Sequence, residues 1–417
     1  MSSLKVAIIG AGPAGCLLAR ILHLNDISVT VFEAEPSFDA RTQGGTLDMH
    51  PKTGIAALKA ANLYDEFIKH ARFDGSTLTV SDKKAQPYFK LPRMFASNPE
   101  IDRLELRQLL LRSLPDGLVQ WNHRLERVDE HKHLHFAHRI EKGYDLIVGA
   151  DGAWSRVRAA MTPIEPEYSG LSGFNLSIPN AKENAPETYE LVNRGSLFAY
   201  SDGKSIMGQQ MGDGSIQAAV YSRQDESWAK EMRAKKPSKE EICREYEDWA
   251  PELLDMVRKT EGDMRIMALY MLPVGTKWES RRGVTLVGDA AHLMTPFAGE
   301  GVNIALEDAM QLAEAIISTK DQDLHTQLDS VVRYEKELMD RGGKAQALTQ
   351  KLMRLMFFTE GAPRETIQDW IIARASYDCD PRSEIEVRLI SIPNTSHSNN
   401  AFGGSARTSV AFDRIWK

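Results

Sequence analysis

The chain has 417 residues, 42% hydrophobic and 26% charged, with a formal net charge of −7 at pH 7. That length exceeds one ordinary core and predicts two domains or one large domain with an inserted lobe. The negative balance argues against a general affinity for nucleic acid or anionic membrane and points to a small-molecule partner.

The first element expected is a buried strand over 5–9 (Lys-Val-Ala-Ile-Ile), followed by Gly10-Ala11-Gly12-Pro13-Ala14-Gly15 and a helix over 14–24 with Leu17, Leu18, Ile21 and Leu22 at helical spacing. A glycine hexapeptide alone could be a bare turn. Its place between strand and helix makes it a dinucleotide site: Gly10 allows the turn, Gly12 lets the backbone approach a pyrophosphate, and Gly15 lets helix and strand pack closely. The next apolar run, 29–32, ends in Glu33, about 20 residues after the turn, where a carboxylate can accept from both ribose hydroxyls and disfavours a 2′-phosphate. A loop over 41–50 and a helical stretch around 54–69 follow. The 102–114 segment reads as a helix carrying Arg103 and Arg107 beside Leu106, Leu109 and Leu110.

Residues 117–149 read as a β-meander closing on an apolar strand at 145–148. There Asp151-Gly152 stands at the strand's carboxyl end with Ser155, Arg156 and Arg158 behind it, either a ligand position or an ordinary Asp151–Arg158 ion pair. Alternating segments over 167–265, with turns at Ser201-Asp202-Gly203 and Gly212-Asp213-Gly214, predict a second, sheet-based lobe. A strand over 284–287 then runs into Gly288-Asp289-Ala290-Ala291-His292 and, through Pro296-Phe297-Ala298-Gly299-Glu300-Gly301-Val302-Asn303, into a helix over 302–318. An acid there can bind a polyol hydroxyl, and the helix start can stabilise developing negative charge. Ala345, Leu348, Leu352 and Leu355 predict a long helix over 328–358 laid across both lobes, and the Ser/Asn/Gly-rich 390–409 stretch reads as a flexible tail.

The expected fold is α/β: a Rossmann-like nucleotide domain (1–64, 92–166, 266–319), an inserted mixed β-sheet substrate domain (65–91, 167–265), a C-terminal bridging helix region (320–376) and an extended tail (377–417). Cys16, Cys243 and Cys379 are too few and too scattered for a disulfide framework or dithiol centre, which suits a reducing, cytoplasmic compartment. Neither an export leader nor a membrane-length apolar run is legible. His131, His133 and His135 alternate on a hairpin strand and could face a metal, but their charged neighbours favour a solvated edge, so no metal site is assigned. His292 reads as structural. Asn394-Thr395-Ser396 is a sequon expected to stay unmodified without export.

Together the three glycine-containing segments resemble those of single-component FAD-dependent monooxygenases of the aromatic-hydroxylase type (class A), nearly throughout residues 1–358. Residues 44–50 (Gly-Gly-Thr-Leu-Asp-Met-His) and the 288–299 segment resemble more narrowly the tetracycline-inactivating branch, the tetracycline destructases. The resemblance implies non-covalent FAD contacted by Asp48, Arg107 and Asp289, with Arg41 at a nicotinamide-cofactor contact. With Gly10, Gly12, Ala14, Gly15 and Glu33, the expected cofactor set is completed by Arg103, Asp151, Gly288, Pro296, Gly299, Gly301, Val302 and Asn303. It also implies hydride transfer from NAD(P)H, reaction of the reduced flavin with O₂ to a C4a-hydroperoxide, and oxygen transfer to an electron-rich phenolic or enolic carbon. The cofactor carries that chemistry, so no acid/base catalyst is named. With no second glycine fingerprint, NAD(P)H is expected as a transient visitor.

For the substrate, Ser177, Ser196, Met207 and Gln217 stand where the tetracycline inactivators carry a glutamine, an arginine, a phenylalanine and a histidine, whereas Phe297, Gly299 and Met356 match. Replacing polar partners costs orders of magnitude in a site built to hydrogen-bond one substrate. The expectation is therefore a cytoplasmic monomer that hydroxylates an aromatic or polyketide-like small molecule, with antibiotic inactivation and tetracycline resistance a secondary activity. A flavin dehydrogenase or reductase, or a non-catalytic flavin-binding sensor, are the alternatives.

Overall fold

The computed structural model describes residues 4–40, 44–73, 77–91 and 98–378. Lys5–Ile9 forms the centre of a five-stranded parallel sheet in the order Val284–Leu286, Leu146–Gly149, Lys5–Ile9, Ser28–Phe32, Val119–Gln120. Val6, Ala7, Ile8, Ile147 and Val148 are wholly buried, as strands covered on both faces must be. Helices Pro13–Leu24 and Gly301–Ile317 supply part of that cover through Leu17, Leu18, Leu306 and Leu312. The meander expected over 117–149 divides. Its first strand joins the parallel sheet, and Leu125–Val128, Leu134–Phe136 and Arg139–Glu141 make a separate antiparallel one.

The inserted lobe is a seven-stranded mixed sheet ordered Glu261–Met271, Glu167–Ile178, Ile216–Arg223, Lys204–Gln210, Ser196–Ser201, Leu78–Ser81, Pro87–Leu91. Only Leu78–Ser81 pairs parallel to its neighbour Ser196–Ser201 within this sheet. Side chains alternate between its faces. Phe174, Leu176, Ile178, Ile206, Ile216 and Val220 pack under helices Pro186–Val192 and Pro251–Arg258, while Asn175, Ser177, Met207, Gln217 and Tyr221 point the other way, into a cavity. The lobe boundaries differ from those expected. Helix Tyr64–His70 buries Phe67 in the first core, and the last sheet strand runs on to Met271.

Helix Leu324–Met353, whose first turn is capped by Asp323 Oδ1 accepting from the Thr326 N–H at 3.0 Å, ends in a π-helical turn, Arg354–Phe358. Its Leu328, Val331, Tyr334 and Leu338 belong to the nucleotide-domain core; Leu348, Leu352 and Met353 belong to another, shared with Tyr200, Met207 and Tyr221 of the sheet and Trp370 of helix Ile367–Asp378. One helix thus joins both lobes, and the α/β expectation with its inserted sheet and bridging helix is met. No helix among the described residues is long and apolar enough to cross a membrane.

Candidate active site

The Gly10 turn is set by close approach. Gly10 adopts φ +107°, and a Cβ there would lie 2.3 Å from the Ala150 carbonyl oxygen; one on Gly15 would lie 2.1 Å from the Gly10 carbonyl oxygen. Gly12 has open space instead, nothing lying within 4 Å of its would-be Cβ. It precedes a helix that begins with Pro13 and has no side-chain cap, so first-turn N–H groups are left for a ligand. Gly10, Gly12, Ala14 and Glu33 line a cavity of about 2900 Å³, whereas Gly15 packs beneath it. Glu33 has a task beyond the expected ribose contact: it accepts the Ala11 N–H at 2.6 Å and the Glu35 N–H at 2.9 Å, tying the turn to the second strand. Arg107, buried, donates to Glu35 Oε2 and to the Phe38 carbonyl, both at 2.7 Å, and lines the same wall.

Across the cavity, a charged cluster holds the 44–50 loop. His50 lies 3.1 Å from Asp48 Oδ2 and 3.4 Å from Glu300 Oε2, and Arg374 reaches Glu300 Oε1 at 2.9 Å and the Ala298 carbonyl. Burial works against a charged ring, but Asp48 and Glu300 raise the His50 pKa to about 10. Burial alone would raise the Asp48 carboxyl; the His50 hydrogen bond and charge, with Arg374, instead hold it below the ordinary range. Asn303, expected at the cofactor, staples this loop: its Nδ2 donates to the Asp48 carbonyl at 2.9 Å and its Oδ1 accepts the His50 N–H at 2.8 Å. The amide thus holds the loop that carries Asp48 and His50, between the cavity-lining Val302 and Ile304.

The raised His50 pKa has a sign. Its contribution to stability is complete below the unfolded value of 6.5 and is lost as pH rises through about 10. The melting temperature is expected to fall between neutral pH and pH ~10, and the fall to be shallower in His50→Gln. Parallel profiles for the two proteins would remove His50 as its origin.

At the floor, Gly288 takes φ +61° and donates its N–H to Asp308 Oδ2 at 3.0 Å. The same carboxylate lies 2.5 Å from His292 Nε2 and accepts from Arg341 of the bridging helix at 2.6 Å. Burial opposes charge on Asp308 and His292 alike, but their pairing lowers the Asp308 pKa and raises that of His292. Asp289 and Arg103 differ: neither side chain makes a hydrogen bond among the described residues, and both project into the cavity while protein encloses them on their other sides. Burial raises the Asp289 carboxyl, against the pull of His292, Arg103 and Arg158. Asp151 lines the cavity but is also the keystone of its own loop, accepting from Ser155 Oγ and from the Arg156 and Val157 N–H groups. Arg158 donates to the Ala290 and Ala153 carbonyls, so the simple Asp151–Arg158 pair is absent from the described contacts.

Pro296, Gly299, Gly301 and Val302 form the rim where this half opens onto the sheet, with Phe297 between them. Ser177, Ser196, Met207 and Gln217 are brought together on that sheet's cavity face. Gln217 Nε2 donates to Ser177 Oγ at 2.9 Å, and Ser196 Oγ accepts from Gln209 at 3.3 Å. Met356 does not join them. It is 1% exposed and packs with Phe357 and Leu352 in the interlobe core, because the π-helical turn directs it inward. Residues not anticipated on the wall are Tyr221, whose hydroxyl donates to Asn175 Oδ1 at 2.9 Å, and Trp370. Asp308 was missed although a signal existed: a lone acid in the apolar stripe Ile304, Asp308, Leu312 of one helix. Arg41, Cys379 and Asn394 lie outside the described residues.

Open space at Gly12, uncapped N–H groups beside it, and a carboxylate and a guanidinium left without hydrogen-bond partners on the cavity floor fit an elongated dinucleotide carrying a polar ring. A family model described as "FAD binding domain" matches residues 3–344. Monooxygenase penA of Penicillium thymicola is 31% identical over 422 residues, covering 87% of this chain and 97% of that protein. Among solved structures, Klebsiella pneumoniae HpxO complexed with FAD and uric acid overlays with a TM-score of 0.71 at 19% identity, covering 89% of this chain and 92% of that one. Tetracycline destructase Tet(51) overlays with a TM-score of 0.67 at 18% identity, covering 90% and 97%. At these identities the overlays establish a shared fold.

Proposed function

The chain belongs to the FAD binding domain family of aromatic-hydroxylase-type flavoprotein monooxygenases, and on that premise we propose that it hydroxylates a phenolic or enolic polycyclic molecule with NAD(P)H as reductant. The observation that carries this reading is one cavity in which the half lined by Gly12, Asp289 and Arg103 opens directly onto the second sheet, where Phe198, Met207 and Tyr221 stand among Asn175, Ser177 and Gln217. FAD, when bound, would supply the two-electron redox chemistry and the reactivity toward O₂. The overall balance is NAD(P)H, H⁺, O₂ and substrate C–H giving NAD(P)⁺, water and substrate C–OH.

The protein's own residues bind, orient and exclude water. The first-turn N–H groups after Gly12 would hold the pyrophosphate, Glu33 and Arg107 the adenosine side, Asp289 a ribityl hydroxyl, and Arg103 negative charge on the ring. Phe297, Met207 and Tyr221 give the substrate flat apolar walls, and the Gln217–Ser177 pair, Ser196 and the Tyr221 hydroxyl are the polar points that set its orientation. Such a wall suits a flat ring system that carries hydrogen-bonding substituents. Because Ser177, Ser196, Met207 and Gln217 stand in place of the glutamine, arginine, phenylalanine and histidine of the tetracycline inactivators, tetracyclines are proposed as weak substrates.

Purified protein is expected to be yellow, and its NAD(P)H oxidation to quicken with substrate and to yield a product one oxygen atom heavier. A panel of tetracyclines, anthraquinones and simple phenols read by mass spectrometry tests it. Substrate-dependent oxidation with a product of unchanged oxygen content would favour a dehydrogenase on the same scaffold.

A further inference from the structure

The cavity face of the second sheet is ordered in rows, because residues opposite one another on paired strands share a face. One row is polar: Ser177, Gln217, Gln209 and Ser196, one from each of four neighbouring strands, stand opposite one another in turn. Two residues along each strand comes a second row, Asn175, Ala219, Met207 and Phe198. Two residues further, Tyr221, Ser205 and Tyr200 form a third.

None of the side chains in these rows is charged. A cation in register with the second row, Arg265, stands opposite Asn175 on the exposed outer strand and not among these four. The polar row is only half used. Gln217 and Gln209 each give one N–H to the serine on their outer side, Ser177 and Ser196, and neither Oε1 accepts a hydrogen bond among the described residues. Each glutamine therefore keeps an acceptor oxygen and one N–H. At the other end, Tyr200 is 3% exposed and lines the cavity, and its hydroxyl has no hydrogen-bond partner among the described residues, burial alone raising its pKa. Ser196 and Tyr200 are four residues apart on one strand, about 13 Å, with Phe198 between them.

Unspent amide donors and acceptors along one row, an apolar strip beside them and a lone hydroxyl beyond it match a flat, neutral molecule of two or three fused rings with a polar group at each end. We propose that Gln209 and Gln217 select a carboxamide on the substrate, and that Tyr200 hydrogen-bonds an oxygen at the opposite end. A carboxamide offers a carbonyl acceptor and an N–H donor, the complement of what the two glutamines have left. A carboxylate brings acceptors alone, with a charge that an uncharged wall leaves uncompensated. The assignment rests on the hydroxylase reading above and narrows its substrate to neutral amides. Discrimination of this kind is large where a polar site is built for its partner, because the wrong ligand leaves buried groups unpaired.

The test uses the FAD-loaded protein and three naphthols of one shape: 6-hydroxy-2-naphthamide, methyl 6-hydroxy-2-naphthoate and 6-hydroxy-2-naphthoate. Each is titrated without reductant and followed by the change in the visible flavin spectrum, so that no turnover is needed. The amide should bind roughly tenfold more tightly than the ester or the carboxylate, the scale of one lost hydrogen bond. Gln209→Met, which keeps the length and removes donor and acceptor together, should erase the difference between amide and ester. Gln209→Arg should reverse the order of amide and carboxylate, a gain that misfolding cannot imitate. Tyr200→Phe should weaken all three ligands alike, and unchanged affinities there overturn the Tyr200 contact. A wild-type protein that binds the carboxylate as tightly as the amide, or does not bind the amide, overturns the carboxamide assignment alone, as do Gln209 variants that keep the wild-type order. A holoprotein that forms no oxygenated product from these naphthols or from the wider panel overturns the hydroxylase reading on which the assignment rests.

Discussion

Gly10→Ala is expected to abolish flavin binding and most soluble protein. The backbone at Gly10 sits at φ +107°, which side chains with a Cβ rarely adopt, and the added methyl would meet the Ala150 oxygen at 2.3 Å and its carbonyl carbon at 2.8 Å. Neither partner can retreat. The Gly10 N–H is bonded to the Phe32 carbonyl and the Ala150 N–H to the Ile9 carbonyl, both at 2.8 Å, so relief of the overlap breaks the central sheet. Strain of about 1–3 kcal/mol and overpacking of about 1–3 kcal/mol together consume a large part of a typical stability of about 5–15 kcal/mol. Gly12→Ala is the matching control. Its φ is −75°, and nothing lies within 4 Å of the new methyl, so it should fold and melt like the wild-type apoprotein, yet bind FAD at least ~10-fold more weakly because the methyl occupies the pyrophosphate's approach. Thermal melts and FAD titration of the two variants separate the roles; equal FAD affinity for Gly12→Ala and wild type would refute the assigned pyrophosphate position.

Asp308→Ala should be the most damaging single change away from the cavity surface. The carboxylate is wholly buried and serves three donors at once: the Gly288 N–H, His292 and Arg341. Its loss leaves the buried His292 ring without its hydrogen-bonded counter-charge, a defect of up to about 3–5 kcal/mol, and a buried Gly288 N–H unpaired at about 1–3 kcal/mol, while Arg341 keeps Glu307 at 3.5 Å and Gln311 at 2.6 Å. Because Gly288 precedes Asp289, the damage should appear as weaker FAD binding as well as a lower melting temperature. Asp308→Asn, which keeps the shape and an acceptor, should fall between. A melt of Asp308→Ala indistinguishable from wild type would mean the cluster does not hold this turn.

How far these sites were legible depended on whether the constraint was local. Gly10, Gly12, Gly15 and Glu33 are demanded by one strand, one turn and one helix within about 20 residues, and each was recognisable from that spacing. The alternation over 167–265 announced a sheet with two faces, but not that helices would claim Leu176 and Ile206 while Ser177 and Met207 faced the cavity. Met356 shows the limit from the other side: apolar spacing places it on a buried face, and only the turn at 354–358 determines that this face meets Phe357 and Leu352 and not a ligand.

The residues by themselves determined the α/β class, the dinucleotide turn, the FAD assignment carried by the three glycine-containing segments, and the division into two lobes, because periodicity and glycine placement are properties of the backbone. The tertiary structure alone decided which groups meet: Glu300 with His50 and Arg374, Asp308 with Arg341, and the Asn303 amide with the Asp48 carbonyl. It likewise decided that Gln209 and Gln217 stand opposite each other on the cavity wall. Such pairings depend on distances across helices and sheets that no spacing along the chain encodes.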